Sequence, residues 1–121
     1  MEKDWIIEIE VADTKPLSVN EAWQGRRFKT KKYEDYEKEL FAVFGKAKKP
    51  IEGPVEIEYA FHLVNANRTD LDNLIKPLQD IIVKLGYLKD DRQIMKMTVT
   101  KKKHSINCIY FGIKKYGTES N

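Results

Sequence analysis

A single cysteine, Cys108, rules out an internal disulfide framework in this chain of 121 residues. With only two histidines, His62 and His104, there is no ligand set for a structural zinc site either. No apolar run approaches the roughly 18 residues that a membrane-crossing helix needs, so no membrane partner is expected. The opening Met1-Glu2-Lys3-Asp4-Trp5 carries acids and lacks an apolar segment, so a secretory signal is not expected and the expected location is the cytoplasm. No large excess of one charge is present: 22 Lys and Arg face 19 Asp and Glu, a formal net charge of +3. Such a balance permits nucleic-acid contact without requiring it. Internal repeats and low-complexity segments are absent as well. What remains, 41% hydrophobic and 34% charged residues, is the composition of one globular domain with a modest core and a well solvated surface. The expected domain covers residues 1–116, followed by a polar tail over 117–121. Cys108 falls in a strand-like run and is expected to be a small core residue.

Residues 5–11 (WIIEIEV) read as a first strand. A loop is expected over residues 13–30, long for so small a domain and therefore a candidate for function. From Lys31 to about Lys46, Tyr33, Tyr36, Leu40, Phe41 and Phe44 recur at helical steps. Val55, Ile57, Tyr59, Phe61 and Leu63 then alternate with Glu56, Glu58, Ala60 and His62, the clearest strand of the sequence. Over residues 71–85 an apolar stripe of Leu71, Leu74, Ile75, Leu78, Ile81, Ile82 and Leu85 predicts a helix that stops at Gly86. Pro77 requires either that this helix start near Asn73 or that it bend. Residues 93–103 and 106–115 read as two strands joined at His104-Ser105 as a hairpin. Lys114 and Lys115 would guard the second of them if it lies at an edge. The order β-α-β-α-β-β predicts an α+β fold, one small mixed sheet of about four strands covered by two helices.

The helix over 71–85 has a polar side formed by Asp72, Asn73, Lys76, Gln79 and Asp80. Asp70 stands just before it, and Asp90-Asp91 follow the reversal at Gly86. About fifteen helical residues span only ~22 Å, so the strand after Asp91 has the reach to run back along the helix toward Asp70 and Asp72. Mg²⁺ is hard, prefers oxygen, and takes one or two carboxylates plus water and a substrate phosphate. Three aspartates from two chain segments suit that chemistry, and Lys76 beside them would hold a phosphate or offset charge that builds in the transition state. Singly, each residue has an ordinary role. Asp70 would be a helix N-cap and Asp72 a first-turn acid. Asp72 with Lys76 would make a surface pair of about 0.3–0.5 kcal/mol. Asp90-Asp91 would be turn residues, and Asp80 solvated surface.

Asp70-Leu71-Asp72-Asn73-Leu74-Ile75-Lys76, then Asp80, then Asp90-Asp91 with Gln93-Ile94, closely resembles the signature of the RusA family of Holliday junction resolvases. Pro16-Leu17-Ser18-Val19-Asn20, followed by Arg27 and Tyr33, resembles that family's other recurrent segment, and the likeness extends over nearly the whole chain. It implies a homodimeric endonuclease dependent on Mg²⁺, with Mn²⁺ as an alternative, that cuts four-way DNA junctions by paired symmetric nicks. It implies that Asp70, Asp72 and Asp91 are catalytic metal ligands assisted by Lys76, and that the gene has a bacterial or prophage origin. Asn20, Asn73 and Asp90 are secondary candidates.

Arg26, Arg27, Lys29, Lys31 and Lys32 cluster within seven residues and, with Lys76, are the candidate DNA phosphate contacts. Trp23 and Phe28 are interleaved with them. They would either pin the loop to the core or stack on an unpaired base. Lys101, Lys102 and Lys103 would extend the groove or stay solvated. His62 is expected to be structural and His104 a turn residue. The alternatives to junction resolution are a metal-dependent nuclease for other branched DNA and a non-catalytic branched-DNA-binding module.

Overall fold

Residues 55–63 set the frame of the molecule. Val55, Ile57, Tyr59, Phe61 and Leu63 are buried throughout, while Glu56, Glu58, Ala60 and His62 between them are half-buried. The computed structural model describes residues 5–24 and 28–117, with the backbone alone for Gln24 and Phe28. In chain order its elements are β1 (Trp5–Ala12), α1 (Val19–Ala22), the short strands β2 (Trp23–Gln24) and β3 (Phe28–Lys29), and α2 (Lys31–Phe44). Then come β4 (Val55–Leu63), α3 (Ile75–Lys84), β5 (Ile94–Lys103) and β6 (Cys108–Lys115). Single 3-10 turns occupy Ala66–Arg68, Leu71–Leu74 and Asp91–Gln93.

Four strands form one mixed sheet in the order β1-β6-β4-β5. β6 is antiparallel to both β1 and β4, and β5 is parallel to β4. The architecture is therefore α+β with a single four-stranded sheet, as the sequence pattern implies. A parallel pair cannot be closed by a tight turn and needs a crossover, which α3 and its flanking turns supply. Rings from β6 and the α2 and post-α3 segments meet in the core, with Phe111 edge-on to Phe44 at 5.0 Å and to Tyr87 at 5.8 Å. Ile81, Ile82, Leu78 and Leu40 close the same layer and are fully buried. Each such side chain contributes about 1.5–3 kcal/mol when taken out of water. Cys108 is buried, as a small core residue should be.

The expected hairpin between the last two strands does not form. β4 lies between β5 and β6, and residues 104–107 step across its end. The His104 N–H donates to the Leu63 carbonyl (3.0 Å), and the Asn107 side-chain oxygen accepts from the Val64 N–H (3.0 Å). Burial decides the order. Ile109, Phe111 and Ile113 are fully buried and need a central position, whereas Met95, Lys96, Met97 and Thr98 are exposed and tolerate an edge. β6 is thus a central strand. The lysines that guard an edge are those of β5, and not Lys114 and Lys115.

The segment over residues 13–30 is also less irregular than its composition suggests. It holds α1, whose Ser18 and Glu21 form a reciprocal capping box, and the β2–β3 ladder. Among the described residues no helix is long and apolar enough to cross a membrane.

Candidate active site

The crossover from β4 to β5 carries the acidic motif, and its local structure follows from two sequence features. Residues 71–74 wind as a 3-10 turn, and the α-helical register begins only at Ile75. Pro77 therefore falls in the first turn of α3, where a missing N–H costs nothing, and it is buried there. The helix thus starts close to Asn73, at Ile75, the first of the two arrangements that Pro77 allows. It ends at Leu85, and Gly86 turns the chain with φ +88°, a conformation that favours glycine.

This register decides what Lys76 touches. Its ammonium lies 3.0 Å from Asp80 and 3.3 Å from Asp91. The expected Asp72–Lys76 pair is absent, because the two residues do not share one α-helical turn. Asp80 is correspondingly no mere solvated acid: it is half-buried and ion-paired. The Asp80 hydrogen bond, reinforced by Asp91, raises the Lys76 pKa above its ordinary value, which favours its protonated form. Beneath this cluster the buried Tyr59 hydroxyl donates to Gln79 Oε1 (2.8 Å). Burial, with the nearby Asp80 and Asp91 charges, raises its pKa strongly. Gln79, expected on the polar side of the helix, is in fact buried beneath it.

Asp70 precedes the 3-10 turn in an extended conformation, and its carboxylate makes no capping hydrogen bond. It opens on a recess of about 270 Å³ shared with Lys15, Ser18, Asn20, Arg68 and Asn73, so Asn20 and Asn73 do come together beside it. Asp72 is exposed, and like Asp70 its carboxylate has no partner among the described residues. Asp91 begins the turn before β5 and faces a second recess of about 480 Å³. Asp90 is occupied by its own turn, accepting from the Arg92 N–H (2.8 Å) and guanidinium (3.1 and 3.2 Å), which holds its carboxyl below the usual range.

Three further residues brace the turns around these aspartates: Gln93, which lies within the sequence motif, and two lysines that gave little sign of it. Gln93 donates to the carbonyls of Ile51 and Gly53 (both 2.8 Å) and accepts from the N–H groups of Lys89 (2.8 Å) and Asp90 (3.2 Å). It locks the turn that carries Asp91. On the other side Lys101 donates to the Thr69 carbonyl (2.8 Å), next to Asp70, and Lys103 to that of Val64 (3.1 Å). These lysines brace the site from β5, a role that a run of three lysines does not announce.

The candidate phosphate contacts divide. Lys29, Lys31 and Lys32 surround the start of α2 and pair with Glu37 (3.8 Å), Asp35 (3.3 Å) and Glu21 (3.5 Å). Arg26 and Arg27 lie outside the described residues, as do the Phe28 side chain and positions 118–121. His62 stacks on His104 at 5.3 Å, and His104 accepts from the Ile106 N–H in a turn.

An all-carboxylate donor set is what a hard divalent cation takes, and such an ion needs only one or two direct carboxylates. The chemistry of Asp70, Asp72 and Asp91 suits it. Among the described residues no three His, Cys, Asp or Glu side chains are grouped tightly enough to hold an ion by themselves. Direct ligation by Asp91 would compete with its ion pair to Lys76.

Compared with known families, the chain matches the model described as Endodeoxyribonuclease RusA over residues 11–114. No match is found among curated proteins.

Proposed function

Since the chain belongs to the RusA family of endodeoxyribonucleases, we propose that it resolves four-way DNA junctions by paired phosphodiester cleavage, as a homodimer dependent on Mg²⁺ or Mn²⁺. The observation that carries this reading is the bridge from Lys76 to Asp91, which ties the segment holding Asp70 and Asp72 to the one holding Asp91. Asp70, Asp72 and Asp91 would hold the ion. When bound, such an ion activates water near neutral pH and offsets charge on the leaving oxygen. The chain's own residues do the rest. Lys76 stays protonated and presents a fixed positive charge to the scissile phosphate. Gln93 and Lys101 hold the two flanking turns. Lys29, Lys31, Lys32, Arg26 and Arg27 would position the DNA backbone. A four-way junction has approximate two-fold symmetry, and a two-fold dimer would present one site to each of two matched strands.

The test is cleavage of sequence-matched four-way, three-way and linear duplexes with Mg²⁺. Selective, paired nicking of the four-way substrate supports junction resolution. Equal cutting of linear duplex removes junction selectivity, and cutting confined to other branched forms moves the substrate class. A role in recombination or repair rests on the same selectivity.

A further inference from the structure

The larger of the two recesses beside the acidic cluster is built differently from the smaller one. Its lining includes two aromatic rings, Trp23 and Tyr33. Trp23 is half-buried and stacks on Tyr33, with centroids 5.8 Å apart and planes inclined by 28°. Tyr33 is fully buried. Two ammonium groups flank this stack, Lys29 at 5.2 Å and Lys84 at 5.5 Å from the Tyr33 ring. Both lean on a single carboxylate, Glu37, at 3.8 and 2.5 Å. Two cations thus share one anion, and with Lys89 they line the same recess as the carboxylates of Asp80, Asp90 and Asp91. The recess has a volume of about 480 Å³.

We propose that this recess receives a single nucleotide turned out of the duplex beside the scissile phosphate, its base stacked on the exposed part of the Trp23 ring and its phosphate beside Lys29 and Lys84. The inference rests on the nuclease function proposed above and deepens it. An aromatic platform with flanking lysines is the arrangement that binds unpaired nucleotides without strict sequence preference. Unstacking is least costly where pairing is already interrupted. A recess of this kind therefore favours branch points over continuous duplex, and it supplies junction selectivity from within one subunit. Trp23 both packs against the core and offers a face, so the two roles open to it from sequence are combined.

The experiment places 2-aminopurine at each position around the branch of a four-way junction and adds full-length protein in EDTA, with binding followed in the same cuvette by anisotropy of a remote label. A rise in 2-aminopurine emission at one position beside the cleavage site is expected. It should be lost in Trp23→Ala and retained in Trp23→Phe, with junction affinity about 10- to 100-fold weaker in the alanine variant. Lys84→Gln, which leaves the platform intact, should weaken binding and lower its salt dependence, and it serves if Trp23→Ala fails to fold by circular dichroism. Junction binding with no emission change at any position overturns the nucleotide recess and leaves the nuclease function standing. An emission change that persists unaltered in both Trp23→Ala and Lys84→Gln also overturns it. Neither binding nor cutting of any junction removes the function, and the recess with it.

Discussion

At the scale of single residues, the site is governed by which acid Lys76 can reach. Because its folded-state pKa lies above the unfolded value of about 10.4, the ion pairs to Asp80 and Asp91 are fully present below that pH and are lost as pH rises through the folded value. Lys76 is therefore expected to contribute no ionisation to the rate between pH 6 and 9, and a pH–rate profile checks this. Lys76→Ala should lower kcat by about 10²-fold or more while Lys76→Arg retains part of it. An inflection between pH 6 and 9 that disappears in Lys76→Ala would assign Lys76 the proton-transfer role denied to it here. Gln93 is the second decisive residue. Gln93→Ala removes four hydrogen bonds from the Asp91 turn. A loss of about 1–3 kcal/mol is expected by urea unfolding, with a fall in activity larger than the loss of folded protein explains.

At the scale of elements, the fold was readable where the hydrophobic period was strict and hidden where it was not. Alternation from Val55 to Leu63 gave β4 with its buried face. The stripe from Leu74 to Leu85 gave the core side of α3. Pairing partners carry no such signal. β5 and β6 are adjacent in sequence, yet β4 separates them, because burial of Ile109, Phe111 and Ile113 claims the centre of the sheet. The 3-10 turn before α3 was equally silent, and it is what redirects Lys76 from Asp72 to Asp80. Of the candidate site, the aspartates and Lys76 stand out in sequence as a motif. Gln93 belongs to that motif without showing its role, and Gln79 and Lys101 do not stand out at all, since a glutamine or lysine acts there through backbone and buried partners that only the folded chain brings near. Tyr59→Phe tests this hidden layer. Leaving buried Gln79 without its donor should cost about 1–3 kcal/mol by thermal or urea unfolding. A neutral result would mean that Gln79 finds another donor.

At the scale of the whole molecule, a nearly balanced charge of +3 makes DNA binding depend on where the lysines stand. Lys29, Lys31 and Lys32 gather at the start of α2, and Lys29 also lines the recess that Asp91 lines. Each alanine replacement there should reduce the slope of log affinity against log salt by roughly 1, and for Lys31 and Lys32 with little effect on which branched substrate is preferred. An unchanged slope in all three would move the DNA to another face.

The most direct measurement is cleavage of a four-way junction with and without Mg²⁺ by the wild-type protein and by Asp70→Asn, Asp72→Asn and Asp91→Asn, with junction binding recorded alongside. Metal-dependent cutting by the wild type, abolished in all three variants while binding is kept or tightened, is the expected result. Undiminished cutting by Asp72→Asn or Asp91→Asn, or cutting that ignores chelation of the metal, would contradict it.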